Sequence, residues 1–211
     1  MLNRYARAAI TKLFTPLAKL LLRLGVSPDV VTIVGTLGVC FGALAFYPRG
    51  SFFWGTVVIT LFIFSDTLDG NMARMSGRSS VWGAYLDSTL DRVADAAIFG
   101  ALVLWYAGDG DDLVMAGLAL GCLILGMVVS YSKARAEGLG MTANVGIAER
   151  SERLVAVLVT TGLVGIPWLH LPTAVLGVVL ALLAIASLIT VLQRMLTVRN
   201  QALGGAGELP K

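Results

Sequence analysis

Six mostly apolar runs recur along the chain, at about 28–48, 51–73, 83–107, 112–136, 151–169 and 172–196. Each is near the length needed to cross a bilayer as a helix. The polar turns between them are short, which predicts an all-α polytopic bundle of six transmembrane helices. Ser27-Pro28 suits the start of the first run, since Ser caps and Pro is tolerated at the first helical position. Pro48, Asp109-Gly110-Asp111 and Pro167/Pro172 punctuate the turns at the opposite ends. Residues 3–24 follow another pattern. Leu13, Phe14, Leu17, Leu20, Leu21 and Leu24 recur at helical spacing with basic residues on another face, which predicts an amphipathic helix lying in the membrane interface. From Gly204-Gly205-Ala206-Gly207 onward the chain reads as a flexible tail. The expected organisation is one membrane domain over 1–203 and a tail over 204–211.

Composition supports the membrane reading. Of 211 residues, 57% are hydrophobic and 14% charged, where a soluble domain carries about 25%. The spans consume nearly the whole length, so no separate soluble domain is expected. Cys40 and Cys122 lie in apolar runs without metal-ligand spacing and read as buried thiols. Arg4, Arg7, Lys12, Lys19 and Arg23 interrupt the apolar core that a secretory signal would need. Nearly all Lys and Arg fall at the N-terminus, in the 74–82 turn, in 133–153 and at the C-terminus. The bias of basic loops toward the cytoplasm then places both termini and these loops there, in the plasma membrane.

Four aspartates break this apolar background. Asp66 and Asp69, three residues apart, share a face of the second span. Asp87 and Asp91, four apart, share a face of the third. A short turn makes these spans antiparallel neighbours, so the pairs can face one another near the cytoplasmic end. Carboxylates in such a setting are costly without a counter-charge, and two divalent cations would supply it. All candidate ligands are oxygen, which favours Mg²⁺, Mn²⁺ or Ca²⁺ over zinc. Gly70 and Gly83 permit close approach to the backbone, and Arg74 is suited to a phosphate or a base. Taken singly, either glycine reads first as a helix-packing contact. Asp95 continues the stripe one turn on and reads as a structural partner, with Arg92 as its counterpart.

The full spacing, D-x2-D-G-x2-A-R-x8-G-x3-D-x3-D from Asp66 to Asp91, resembles the signature of the CDP-alcohol phosphotransferases. All eight positions are filled. The resemblance implies that a hydroxyl attacks the β-phosphorus of a CDP-linked lipid and CMP leaves. It implies Asp66, Asp69, Asp87 and Asp91 as ligands for two Mg²⁺ ions, with Asp91 also the candidate general base. It implies Gly70, Ala73, Arg74 and Gly83 around the cytidine, Asp29 and Thr32 where the first span approaches the nucleotide, and a homodimer. Thr32 has a second reading, a hydroxyl bonded to its own helix. Two metals in such a site clamp a pyrophosphate and steady the attacking and leaving oxygens.

A second constellation is basic: Lys133, Arg135, Arg150, Arg153 and Arg194. Positive-inside topology and anionic lipid account for many such residues. Arg194, however, interrupts the apolar run L-I-T-V-L-Q-R-M-L, and Glu137, Glu149 and Glu152 are interspersed. A phosphate on the acceptor fits this cluster. The segments V-S-Y-S-K-A-R-A-E (129–137), I-A-E-R-S-E-R-L (147–154), S-L-I-T-V-L-Q-R (187–194) and S-P-D-V-V-T-I-V-G (27–35) resemble the actinobacterial phosphatidylinositol-phosphate synthase branch of that family. That resemblance implies CDP-diacylglycerol and inositol 1-phosphate as substrates. It implies Lys133, Arg153 and Arg194, together with Ser132 and Arg135, around the acceptor phosphate. Two alternatives stand beside it. One is phosphatidylglycerophosphate synthesis, with glycerol 3-phosphate as acceptor. The other is a divalent-cation transporter, which predicts acidic groups along the other spans; spans four to six hold none in the interior of their apolar runs. No nucleic-acid partner is expected.

Overall fold

The computed structural model describes residues 14–77 and 80–204, with the main chain but not the side chain of Asp66. The start of the interfacial helix, Arg78 and Ser79, and residues 205–211 of the expected tail lie outside the described residues. Among the described residues the secondary structure is helical: α1 (14–23), α2 (Pro28–Phe46), α3 (Phe52–Ile63), α4 (Ser65–Ser76), α5 (Val81–Ala107), α6 (Leu113–Glu137), α7 (Arg150–Val164) and α8 (Ala174–Gly204). Single 3-10 turns occupy Tyr47–Arg49 and Pro167–Leu169.

Every expected span has a helix at its place. Four stretches among the described residues are long and apolar enough to cross a membrane: Pro28–Arg49, Phe52–Ser76, Leu113–Glu137 and Ala174–Gly204. The other two differ for separate reasons. α5 carries Asp87, Asp91 and Arg92 in its first half and Asp95 just past its midpoint. α7 has 15 residues, about 22 Å of helix against a hydrocarbon core of about 30 Å. The second span is also nicked. Phe64 interrupts it while keeping helical angles, φ −64° and ψ −14°. Beside the nick, the Ser65 hydroxyl donates to the Phe62 carbonyl at 2.6 Å, a side-chain bond that competes with the helical ladder.

Two compact units divide the chain. The first comprises the residues up to Tyr47 and Trp54–Ile98; the second comprises Pro48–Phe53 and the chain from Phe99. In the first unit, α2 packs against α3 and α4 through a row of glycines. A Cβ on Gly35 would collide with Ser65, on Gly38 with the Phe62 ring, and on Gly42 with Val58 at 2.9 Å. Contacts that climb one helix while descending the other define an antiparallel register, and missing side chains let the backbones close up. The next step in that register brings Thr32 to Asp69. α1 lays Phe14, Ala18, Leu21 and Leu22 against Leu68 and Met72 of α4. Its Leu17 and Leu20, and Leu24 just past its end, stay exposed, as do Lys19 and Arg23.

In the second unit, α8 packs against α6 and α7. The Cys122 thiol donates to the Leu180 carbonyl at 3.1 Å, buried as its sequence context predicts. The segment 138–149 is strapped along α8. Gln201 exchanges hydrogen bonds with the main chain of Thr142, at 3.0 and 2.6 Å. The Thr190 hydroxyl accepts from the Ile147 and Ala148 amides, both at 3.1 Å. Gly146, at φ +143°, makes this possible: the angle is rare for other residues, and a Cβ there would strike Thr190.

Candidate functional site

A cleft of about 290 Å³ opens in the first unit. Its lining draws on three helices: Pro28, Asp29 and Thr32 from α2; Asp69, Gly70, Ala73 and Arg74 from α4; and Ser80, Gly83, Ala84 and Asp87 at the head of α5. Gly77 makes the turn between α4 and α5, taking φ +64° while its N–H caps Ala73. The eight lining residues expected from sequence at this site, Asp29, Thr32, Asp69, Gly70, Ala73, Arg74, Gly83 and Asp87, therefore come together in one concavity.

The detailed contacts explain several roles. Asp69 is buried, at 7% exposure, and accepts a hydrogen bond from the Thr32 hydroxyl at 2.5 Å. The same hydroxyl lies 3.2 Å from its own helix's Pro28 carbonyl. Both readings of Thr32 thus describe what it touches, and the bond to Asp69 is the shorter. Gly70 is not a tight packing contact, and Gly83 has one close neighbour, the Ser80 hydroxyl. The nearest atom to a Cβ on Gly70 is Arg74 Nη1 at 3.9 Å; on Gly83 it is Ser80 Oγ at 3.3 Å. Added side chains there would mainly occupy the cleft.

Two helix N-termini end at the cleft. The Ser27 hydroxyl caps α2 by accepting from the Val30 amide at 3.3 Å. Ser80 accepts from the Gly83 amide at 2.9 Å and caps α5 in the same way. Helix N-termini carry partial positive charge and favour anions. Pro28, Ser80 and Ala84 were not singled out by the signature. Helical register is the signal that locates Ser80 and Ala84, since 80, 84, 87 and 91 recur on one face of α5.

The remaining acidic residues lie differently. Asp91 is one turn beyond Asp87 on α5, outside the cleft lining. Arg92 reaches it at 3.5 Å and lies 3.9 Å from the buried Asp95, so Arg92 sits between the two carboxylates. The expected partnership of Asp95 with Arg92 is present. Asp66 is helical in α4, and its side chain lies outside the described residues. Among the described residues, no three acidic, histidine or cysteine side chains gather closely enough to hold a metal ion. The cleft's donors nevertheless fit a hard divalent cation. Asp69, Asp87 and Thr32 offer oxygen, and neither His nor Cys lines the site.

The basic residues belong to the second unit, where they divide between two faces of α6. Arg153 is nearly fully buried and donates from Nη1 to the Ala148 carbonyl at 3.1 Å. Its guanidinium lies against Gly126, 3.2–3.5 Å from where a Cβ would stand. Lys133 is two turns from Gly126, so it continues that face. Ser132 and Arg135 instead line a groove with Arg194 and Arg199. Arg194 is 5% exposed. Its Nε donates to the Val145 carbonyl at 2.9 Å and its Nη1 to the Val129 carbonyl at 2.5 Å. Glu149 and Glu152 form a capping box at the start of α7, with the Glu149 amide donating to Glu152 Oε2 at 2.9 Å.

Comparison with known proteins bears on both halves. Residues 25–204 match the family described as CDP-alcohol phosphatidyltransferase. The phosphatidylinositol phosphate synthase of Streptomyces avermitilis is 56% identical over 205 residues, covering 96% of this chain and 84% of that protein. The protein of the same name from Cutibacterium acnes is 46% identical, covering 92% and 96%. A crystal structure of Mycobacterium tuberculosis phosphatidylinositol phosphate synthase with CDP-DAG bound matches with TM-score 0.85 and 44% identity, over 89% of this chain and 94% of that one. The same enzyme in complex with manganese and citrate matches with TM-score 0.84 and 45% identity, over 88% of each chain.

Proposed function

The chain belongs to the CDP-alcohol phosphatidyltransferase family, and from that premise we propose that it transfers the phosphatidyl group of CDP-diacylglycerol to inositol 1-phosphate, releasing CMP. It is a membrane phosphotransferase. The observation that carries the reading is the cleft of the first unit, which collects Asp29, Thr32, Asp69, Gly70, Ala73, Arg74, Gly83 and Asp87 around one space. The two capped helix N-termini complement a pyrophosphate, and the bare backbones at Gly70 and Gly83 leave room for a flat base. Thr32 orients Asp69. Asp66, Asp69, Asp87 and Asp91 hold two divalent ions, Mg²⁺ or Mn²⁺. When bound, these ions neutralise pyrophosphate charge and steady the leaving CMP.

In the reaction an inositol hydroxyl oxygen bonds to the β-phosphorus. The phosphoanhydride bond to the α-phosphate breaks, and CMP departs with the bonding electrons. Asp91 accepts the hydroxyl proton, and Arg92 fixes its orientation. Lys133, Arg153 and Arg194 hold the acceptor's phosphate. The carbonyls of Ala148, Val145 and Val129 fix the arginines in place. A guanidinium held in this way still carries donors beyond the ones so engaged.

The exposed Leu17 and Leu20 of α1 and the adjoining Leu24, beside Lys19 and Arg23, support an interfacial helix on an anionic leaflet. The full reading has six spans, cytoplasmic termini, a plasma-membrane location and a homodimer. The test is CMP release by the purified protein with CDP-diacylglycerol and Mg²⁺, comparing inositol 1-phosphate, glycerol 3-phosphate and free inositol. Turnover that depends on inositol 1-phosphate is expected. Turnover with glycerol 3-phosphate alone would keep the cleft chemistry and overturn the acceptor.

A further inference from the structure

The groove that Arg194 lines is walled mostly by apolar side chains and carries two further arginines. It encloses about 390 Å³ between α6 and α8, and its walls include Val128, Tyr131, Val191 and Met195. Arg135 and Arg199, both exposed, also line it. Arg135 is seven residues beyond Val128, and Arg199 eight beyond Val191, so the arginines stand about 10–12 Å farther along the helix axes than those valines, and about 6 Å beyond Tyr131 and Met195. α6 and α8 are two of the four membrane-length helices. A basic pocket of this kind between spanning helices suits a lipid whose chain follows the apolar wall and whose phosphate meets the cations. A soluble phosphate compound would leave those walls uncovered.

We propose that the α6–α8 groove binds an anionic phospholipid, with an acyl chain against Val128, Tyr131, Val191 and Met195 and its phosphate on Arg135 and Arg199. The site is additional to the cleft that takes the reacting liponucleotide. It assigns Arg135 to a lipid, while Lys133, on another face of α6, stays with the acceptor. Occupancy requires neither CDP-diacylglycerol nor a divalent ion, so its test is independent of the proposed reaction.

Native mass spectrometry of the detergent-solubilised protein tests it, with phosphatidylglycerol and phosphatidylcholine of identical chains as probes. At equal concentration the wild type should retain phosphatidylglycerol over phosphatidylcholine on the order of tenfold. Arg135→Ala combined with Arg199→Ala should bring the ratio near one. Arg135→Lys with Arg199→Lys, which keeps the charge, should restore the preference. Equal retention by the wild type, or a preference that survives the alanine pair, would overturn the proposal. Displacement of the lipid by inositol 1-phosphate or glycerol 3-phosphate would also overturn it, making the groove part of the acceptor site. So would a dimer that excludes lipid from the groove, since a second copy would then be its occupant.

Discussion

The acidic cleft and the basic cluster solve opposite problems with different parts of the chain. In the first unit, a contiguous signature on two consecutive helices delivers carboxylates and glycines to an open space. Its main preparation is one hydroxyl, Thr32, set against one carboxylate, Asp69. In the second unit, Arg153 of α7 and Arg194 of α8 are held by main-chain carbonyls, two of which belong to the strapped segment 138–149. Carbonyl dipoles fix a guanidinium without cancelling its charge. The cleft thus gathers negative charge that calls for cations, and the cluster retains positive charge suited to an anion. Under the proposed function, the liponucleotide and metal belong to the first unit and the acceptor phosphate to the second.

The largest expected effect breaks chemistry while sparing both binding functions. Asp91→Asn should lower CMP release on the order of 10²–10⁴-fold, while CDP-diacylglycerol still binds. Undiminished turnover would remove Asp91 from the mechanism. Next come the arginines. Arg153→Ala or Arg194→Ala should raise the KM for inositol 1-phosphate about 10–100-fold, the worth of a hydrogen bond to a charged group, and leave the liponucleotide KM within about twofold. Arg194→Lys should not rescue the loss, because a single ammonium cannot reproduce the fork that holds Val145 and Val129 at once.

The glycines sharpen the same comparison within the first unit. Gly83→Leu should raise the CDP-diacylglycerol KM about tenfold with little change in melting temperature, because the side chain enters the cleft. Gly38→Leu should do the reverse, lowering the melting temperature by about 2–10 °C through overpacking against Phe62. A matched loss of stability at both positions would make Gly83 a packing residue. The smallest effect is Thr32→Val. Removing one hydrogen bond to Asp69 should slow turnover about fivefold, with the fold intact by circular dichroism.

These two regions were unequally legible in the sequence. The cleft could be read because its chemistry lies within 26 residues at helical spacing, so local periodicity already fixes which side chains share a face. Its support from α2 was harder to see. Thr32 reaches Asp69 only through the register set by Gly35, Gly38 and Gly42. The basic cluster depends on contacts between residues distant in the chain, and neither Thr190 nor Gln201 announces itself as a strap for 138–149. Residues adjacent in sequence also part company there. Ser132 and Arg135 line the groove, whereas Lys133 continues the face of Gly126. The apolar runs located the helices well, but hydropathy gave no sign of the interruption at Phe64.

The most direct test of this division is isothermal titration of wild type and Arg153→Ala with each substrate separately, in the presence of Mg²⁺. Arg153→Ala is expected to lose inositol 1-phosphate binding and keep wild-type affinity for CDP-diacylglycerol. Loss of CDP-diacylglycerol binding with inositol 1-phosphate affinity unchanged would contradict it.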